Sequence, residues 1–208
     1  AEASGAAGAG VDPDPEVVAE AMDQARAAGL EERLHFAQAP AEDLPYKDGV
    51  FDVAVGGIEL GAVEDPACAV RELARVTRPL GSVVLSAVTW VGHVEPQRRE
   101  EVVRRLGLRP FLLVEWKQML RDAGVVDLRV ENWPDPATVV DQTVALDGSS
   151  DPGTLREAFM AFCRACRRWV QGDSLREELR ALFTRERVLG LSLIKGVKWQ
   201  DWPSSRGP

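Results

Sequence analysis

The sequence predicts an α/β protein: a mainly parallel sheet with helices on both faces, and a helical insert just before the last strand. Three observations lead there. Short apolar strand candidates alternate with amphipathic helical stretches through the first half. Proline opens two of those helices, and glycine stops the first. The run Ser82 to Trp90 is mostly apolar and carries no charge, as a strand covered on both sides should be. Strand and helix in alternation are the signature of a parallel sheet covered by its own crossovers.

Taken in order, Gly5 to Asp12 is small and apolar and ends at Asp12-Pro13-Asp14-Pro15. Glu16 to Ala28 reads as a helix, with Val17, Val18, Ala21, Met22 and Ala25 at helical spacing; Pro15 suits its first turn and Gly29 its stop. Leu34 to Gln38 and Phe51 to Val55 are strand candidates. Pro66 opens a second helix running to about Arg78, and Leu80-Gly81 turns the chain into the buried strand Ser82 to Trp90. Val114 to Ala123 is helical and stops at Gly124; Val125 to Trp133 alternates as a strand does. A long helical region then runs from about Thr138 to Val188, and Leu189 to Trp199 returns as a strand. The expected division is a core over 1–133, a helical insert over 134–188, a final core strand over 189–199, and a frayed tail over 200–208.

Composition narrows the function. Of 208 residues, 45% are apolar and 28% charged, which suits a globular domain. The net charge of −8 repels phosphate backbones, so nucleic acid is excluded as the expected partner. The basic run Arg164, Arg167, Arg168 reads as a solvated helix face. No apolar stretch approaches the roughly 20 residues that span a bilayer. The opening AEASGAAGAG lacks the basic and bulky apolar parts of a secretory signal. Cys68, Cys163 and Cys166 make no disulfide framework, so a reducing, cytoplasmic setting is expected. Cys163 and Cys166 would share a helix face and could hold a soft metal, but zinc would want two more ligands; packing is the favoured role and no metal is expected.

In open α/β sheets a ligand binds at the carboxyl ends of the strands. Asp12 follows the first strand and can accept hydrogen bonds from both hydroxyls of a ribose; Asp12 or Asp14 can also cap the helix beginning near Pro15. The second strand leads into Gln38-Ala39-Pro40-Ala41-Glu42-Asp43-Leu44-Pro45, where a backbone amide can meet the edge of an adenine ring. The third ends in Gly56-Gly57-Ile58-Glu59. Paired glycines permit close approach of a ligand, or simply a turn. Glu59 is the acid nearest the expected reaction point. The fourth strand ends at Thr89-Trp90-Val91-Gly92-His93, an aromatic and a titratable ring.

The order GVDPDP, AEDLPYKDGVFDVAV, EDPACAVRELARVTRPLGSVVLS, EWKQMLRDAGVVDLRVENW resembles the class I, Rossmann-like S-adenosylmethionine-dependent methyltransferases, in the group with the ubiquinone/menaquinone and sterol C-methyltransferases. The resemblance covers Gly10 to Trp133, and it implies that the last strand, Leu189 to Trp199, runs antiparallel beside Ser82 to Trp90. It implies S-adenosylmethionine as cofactor, with Asp12 and Pro13 at the ribose, Ala41 and Glu42 in the loop that meets adenine, and Gly56 and Gly57 beside the methionine part. Pro40 stands where the family usually has Asp, and Arg78-Pro79-Leu80-Gly81 replaces the usual Arg-Pro-Gly-Gly. The family also places a strand and a glycine-rich loop about 20 residues before the ribose acid, whereas only 11 residues precede Asp12 here. A central strand between those ending at Asp12 and Val55 is therefore expected to be missing, with further residues before Ala1 or a strand-donating partner filling the gap.

The reading that follows is methyl transfer to a small, partly apolar acceptor. His93 and Glu59 are the candidate bases, Trp90 and Trp169 the candidate acceptor-pocket walls, and a homo-oligomer or strand-donating partner the expected assembly. The alternatives are a non-catalytic methyltransferase-like subunit, an arsenite-type methyltransferase using thiols, and, more weakly, an oxidoreductase on a related sheet.

Overall fold

A computed structural model describes residues 6–133 and 188–200. The expected insert, with Trp169, Cys163 and Cys166, and nearly all of the tail lie outside those residues.

The chain begins with strand β1 (Gly8–Asp12), helix α1 (Pro15–Ala27) and strand β2 (Leu34–Gln38). Asp14 caps α1, its carboxylate accepting from the Glu16 amide at 2.8 Å, and Pro15 sets the first turn. Gly29 follows the helix at φ +66, the left-handed conformation that ends helices. α1 buries Val18 and Ala25 and rests on β1 and β2, which pair in parallel from Gly8↔Leu34 to Asp12↔Gln38.

Strand β3 (Phe51–Gly56) leads through a 3₁₀ turn (Ile58–Gly61) to helix α2 (Pro66–Val76). Asp65 caps α2 by accepting from the Cys68 amide at 2.9 Å. Strand β4 (Thr77–Trp90) pairs in parallel with β3. Then come helix α3 (Pro96–Leu106), the two-residue strand β5 (Phe111–Leu112), helix α4 (Leu113–Asp122), β6 (Val125–Trp133) and β7 (Leu189–Lys198). β7 lies antiparallel between β4 and β6, from Ser82↔Val197 to Trp90↔Leu189, as expected of the last strand.

Residues alternate faces along a strand. Val83, Leu85 and Ala87 of β4 join Ala54 and Ile194 beneath α2 and α4, where Val70, Leu73, Trp116 and Leu120 are buried. Trp90 turns to the other face and packs with Leu189 and Leu191 against Val102 and Leu106 of α3. Each buried Val, Leu or Ile side chain among them contributes roughly 1.5–3 kcal/mol. Helices thus cover both faces, as the sequence predicts.

Three details differ from the sequence reading. α3 and β5 were not expected. α2 stops at Val76, because Thr77 is extended and the chain then bulges between the pairs Phe51↔Thr77 and Val53↔Ser82. Leu80 sits in that bulge at φ +62 with its side chain 62% exposed.

The sheet comes in two pieces. Among the described residues β1 pairs only with β2, while β3, β4, β7 and β6 form the other hydrogen-bonded set with β5 beside β4. β1 and β3 border the interruption, since Asp12 at the end of β1 and Glu59 just beyond β3 are close enough to interact electrostatically. Val53 and Val55 on β3 are about half exposed there, at 44% and 48%.

Candidate functional site

The carboxyl ends of β1 and β3 carry the acids that the sequence singles out. Asp12 closes β1. Its Oδ1 accepts from the Asp14 amide at 2.8 Å, a short turn that aims the carboxylate, and no donor among the described residues meets Oδ2. The capping role belongs to Asp14, which leaves Asp12 available to a ligand. Pro13 follows, exposed, and its carbonyl accepts from Gln38 Nε2 at 3.1 Å.

Beyond β3, Glu59 folds back on its own turn, and Oε1 accepts from the Gly57 amide at 3.0 Å. The residue as a whole is exposed, yet its carboxylate is crowded by the surrounding protein. That desolvation pushes its pKa above the ordinary carboxylate value, against the pull of the Gly57 and Glu59 amides; the negative charge of Asp12 raises it further. Asp12 and Glu59 therefore feel one another across the interruption in the sheet.

The glycines divide their work. A Cβ on Gly56 would collide with Leu60, Leu73 and Leu85, so the absent side chain there serves the core and not a ligand. A Cβ on Gly57 would strike the Glu59 carboxylate, which already occupies the space over that backbone. A ligand reaching Gly57 must meet or displace Glu59.

The loop after β2 is tied down at both ends. Ala39 donates to the Asp12 carbonyl at 3.2 Å. Glu42 Oε1 accepts from the Glu64 and Asp65 amides at 3.1 and 3.4 Å, so this carboxylate supports the approach to α2. Ala41 packs, half-buried, against the main core, and Leu44 is buried in it instead of facing a ligand. Two residues overlooked in the sequence hold the far end. Glu72 Oε2 accepts from the Leu44 amide at 2.9 Å, and Arg75 donates to the carbonyls of Leu44 and Tyr46 at 3.0 and 2.7 Å. Their i,i+3 spacing on a helix was the available signal; their partners, 28 to 31 positions away, were not visible.

The remaining candidates stand apart. His93 is exposed, its side chain at 85%, with Nε2 3.5 Å from Glu95. Trp90 is buried at 6% in the second core cluster, with the Arg99 guanidinium 5.4 Å from its ring centroid. It is a core residue among those described here. No helix among the described residues is long and apolar enough to cross a membrane.

Residues 1–85 match the profile of a family described as "Methyltransferase domain". Over that stretch the chain is similar to methyltransferase domains. Two curated methyltransferases show the range of its relatives. The 27-O-demethylrifamycin SV methyltransferase of Amycolatopsis mediterranei is 32% identical over 120 residues, 56% of this chain and 44% of that protein. The norajmaline N-methyltransferase of Rauvolfia serpentina is 38% identical over 76 residues, 36% of this chain and 26% of that protein. The chain spans about half or less of the length of these curated relatives. Among solved methyltransferase structures, geranyl diphosphate methyltransferase in complex with S-adenosylmethionine is similar in fold, with a TM-score of 0.68 at 15% identity over 93% of this chain and 69% of that one.

Proposed function

We propose that this methyltransferase domain binds S-adenosylmethionine and transfers its methyl group to a small, partly apolar acceptor. The observation that carries the reading is Asp12: an acid at the carboxyl end of β1, turned by the Asp14 amide, with a second oxygen that meets no donor among the described residues. That is the donor-accepting chemistry a ribose diol requires. The sulfonium of the bound cofactor is itself the electrophile, so the protein needs mainly to align the acceptor with it and exclude water. Asp12 would hold the ribose, and Pro13, Ala41 and Glu42 would shape the adenosine end. Gly57, behind Glu59, would mark the methionine end, with Gly56 as its core support.

Where the acceptor carries a proton to be lost, Glu59 is the better-placed base. Its raised pKa makes it more basic than an ordinary carboxylate, and it lies beside Asp12. His93 would serve from the exposed segment beyond β4. Trp169 remains the proposed apolar wall, with Trp90 supporting it from the core behind, and the 134–188 insert the proposed cover. The reducing, cytoplasmic setting belongs to the same reading.

Calorimetric titration with S-adenosylhomocysteine tests it. Asp12→Ala should lose affinity and Asp14→Ala should keep it, because two hydrogen bonds to a charged acceptor are lost only in the first, each worth on the order of 1.5–3 kcal/mol. Equal affinities would reduce Asp12 to a turn residue. The alternative reading is a non-catalytic methyltransferase-like subunit. Failure of the unaltered protein to bind S-adenosylhomocysteine would support that alternative.

A further inference from the structure

We propose that Glu72 and Arg75 are positioning residues for the nucleoside end of the cofactor, acting through the backbone of the loop 39–46; this rests on the methyltransferase reading above. The two side chains lie three apart on α2 and form a two-pronged ion pair. Arg75 Nε meets Glu72 Oε1 at 2.7 Å and Arg75 Nη2 meets Oε2 at 2.6 Å. Both are largely withdrawn from water, with the side chains 7% and 15% exposed. The Glu72 carboxylate holds the guanidinium protonated well above the ordinary arginine range.

A buried ion pair is weak evidence for stability, since well-packed apolar residues often do as well. What distinguishes this pair is where its remaining hydrogen bonds go. Glu72 takes the Leu44 amide, while Arg75 reaches the Leu44 and Tyr46 carbonyls and the Asp48 carboxylate. Leu44 is thus gripped at both its N–H and its C=O. At the opposite end the loop is bonded to Asp12 through Ala39, and in its middle Glu42 is anchored to the residues before α2. Between these anchors lies Ala41–Asp43, the stretch whose backbone would read the base. Backbone recognition has no side-chain freedom to correct a displaced loop, so sites of this kind require placement within about half an ångström. Only the planar, five-donor guanidinium can serve these acceptors together; an ammonium cannot.

The test compares S-adenosylhomocysteine with S-inosylhomocysteine, which differs only at the base edge, by titration into the unaltered protein, Arg75→Lys and Glu72→Gln at a temperature where each is folded. The unaltered protein should prefer the adenine ligand. In the variants its affinity should fall about tenfold, a change of one decade in Kd, and the preference should collapse. A merely structural pair would lower the melting temperature but leave the preference intact, and that result would overturn the inference. Should neither variant fold, amide exchange in the unaltered protein decides. S-adenosylhomocysteine should slow exchange at Leu44 and Tyr46, and unchanged exchange there would overturn it. If the unaltered protein binds neither ligand, the methyltransferase reading fails, and this inference with it. Binding without base preference refutes only the inference.

Discussion

Replacing Leu80 by glycine should stabilise the protein, although it deletes a large apolar side chain. Leu80 holds φ +62, a left-handed conformation in which Cβ crowds the following carbonyl, at a cost of roughly 1–2 kcal/mol for a residue with a side chain. The side chain is 62% exposed, so its removal forfeits little burial. Against the relief stands the greater freedom of glycine in the unfolded chain, about 0.4–1 kcal/mol. The balance is a gain of about 0.5–1 kcal/mol, which for a protein of this size raises the melting temperature by roughly 1–4 °C. Thermal melts followed by circular dichroism, together with urea titrations of unchanged slope, measure it. Leu80→Ala is the control, since it keeps the strained conformation and should show no such gain. Equal melting temperatures for Leu80→Gly and Leu80→Ala, or a fall for glycine, would refute the reasoning.

Other perturbations test the site's surroundings. Gly56→Ala should destabilise by about 1–3 kcal/mol, because the new methyl overpacks Leu60, Leu73 and Leu85; denaturant titration reads it, and an unchanged midpoint would contradict the core role of Gly56. Asp14→Ala should cost about 1 kcal/mol as the loss of the α1 cap, visible as a lower melting temperature without loss of S-adenosylhomocysteine affinity. Glu59 predicts a pH dependence. Its folded pKa lies above its unfolded one, so its contribution to stability is complete below the ordinary carboxylate value and is lost as pH rises through the folded value. Glu59→Gln should therefore flatten the stability profile across that window and melt higher, relative to the unaltered protein, at neutral than at acid pH. A parallel profile in the variant would show that Glu59 is not perturbed.

Much of the fold was legible because its signals are local. The proline and glycine flanking α1 and the apolar spacing of α2 each reflect a constraint within a few residues. β7 was placed correctly beside β4 on the strength of the family's topology. α3 escaped because PQRREEVVRRL shows a helical face of only Val102, Val103 and Leu106 amid charge, although Pro96 at its start and Gly107 after it mark its ends. β5, two residues long, has no period to detect. For the candidate site, strand-end logic put Asp12 at the end of β1 and Glu59 just beyond β3, where the structure has them. It could not foresee that the Glu42 carboxylate turns to the Glu64 and Asp65 amides, or that the bare face of Gly56 is filled by three leucines. Those outcomes depend on partners distant along the chain.

The interruption between β1 and β3 also shapes how the described strands come apart. A continuous sheet resists separation of its strands through a row of backbone hydrogen bonds that must break together. Across this seam no ladder bonds join the described strands, so β1, α1 and β2 can behave as a unit whose opening is less costly than that of the β3–β4–β7–β6 set. Asp12 lies on one bank and Glu59 on the other. A ligand touching both would act as a staple across the seam, and its binding energy would appear as resistance to opening along the same line.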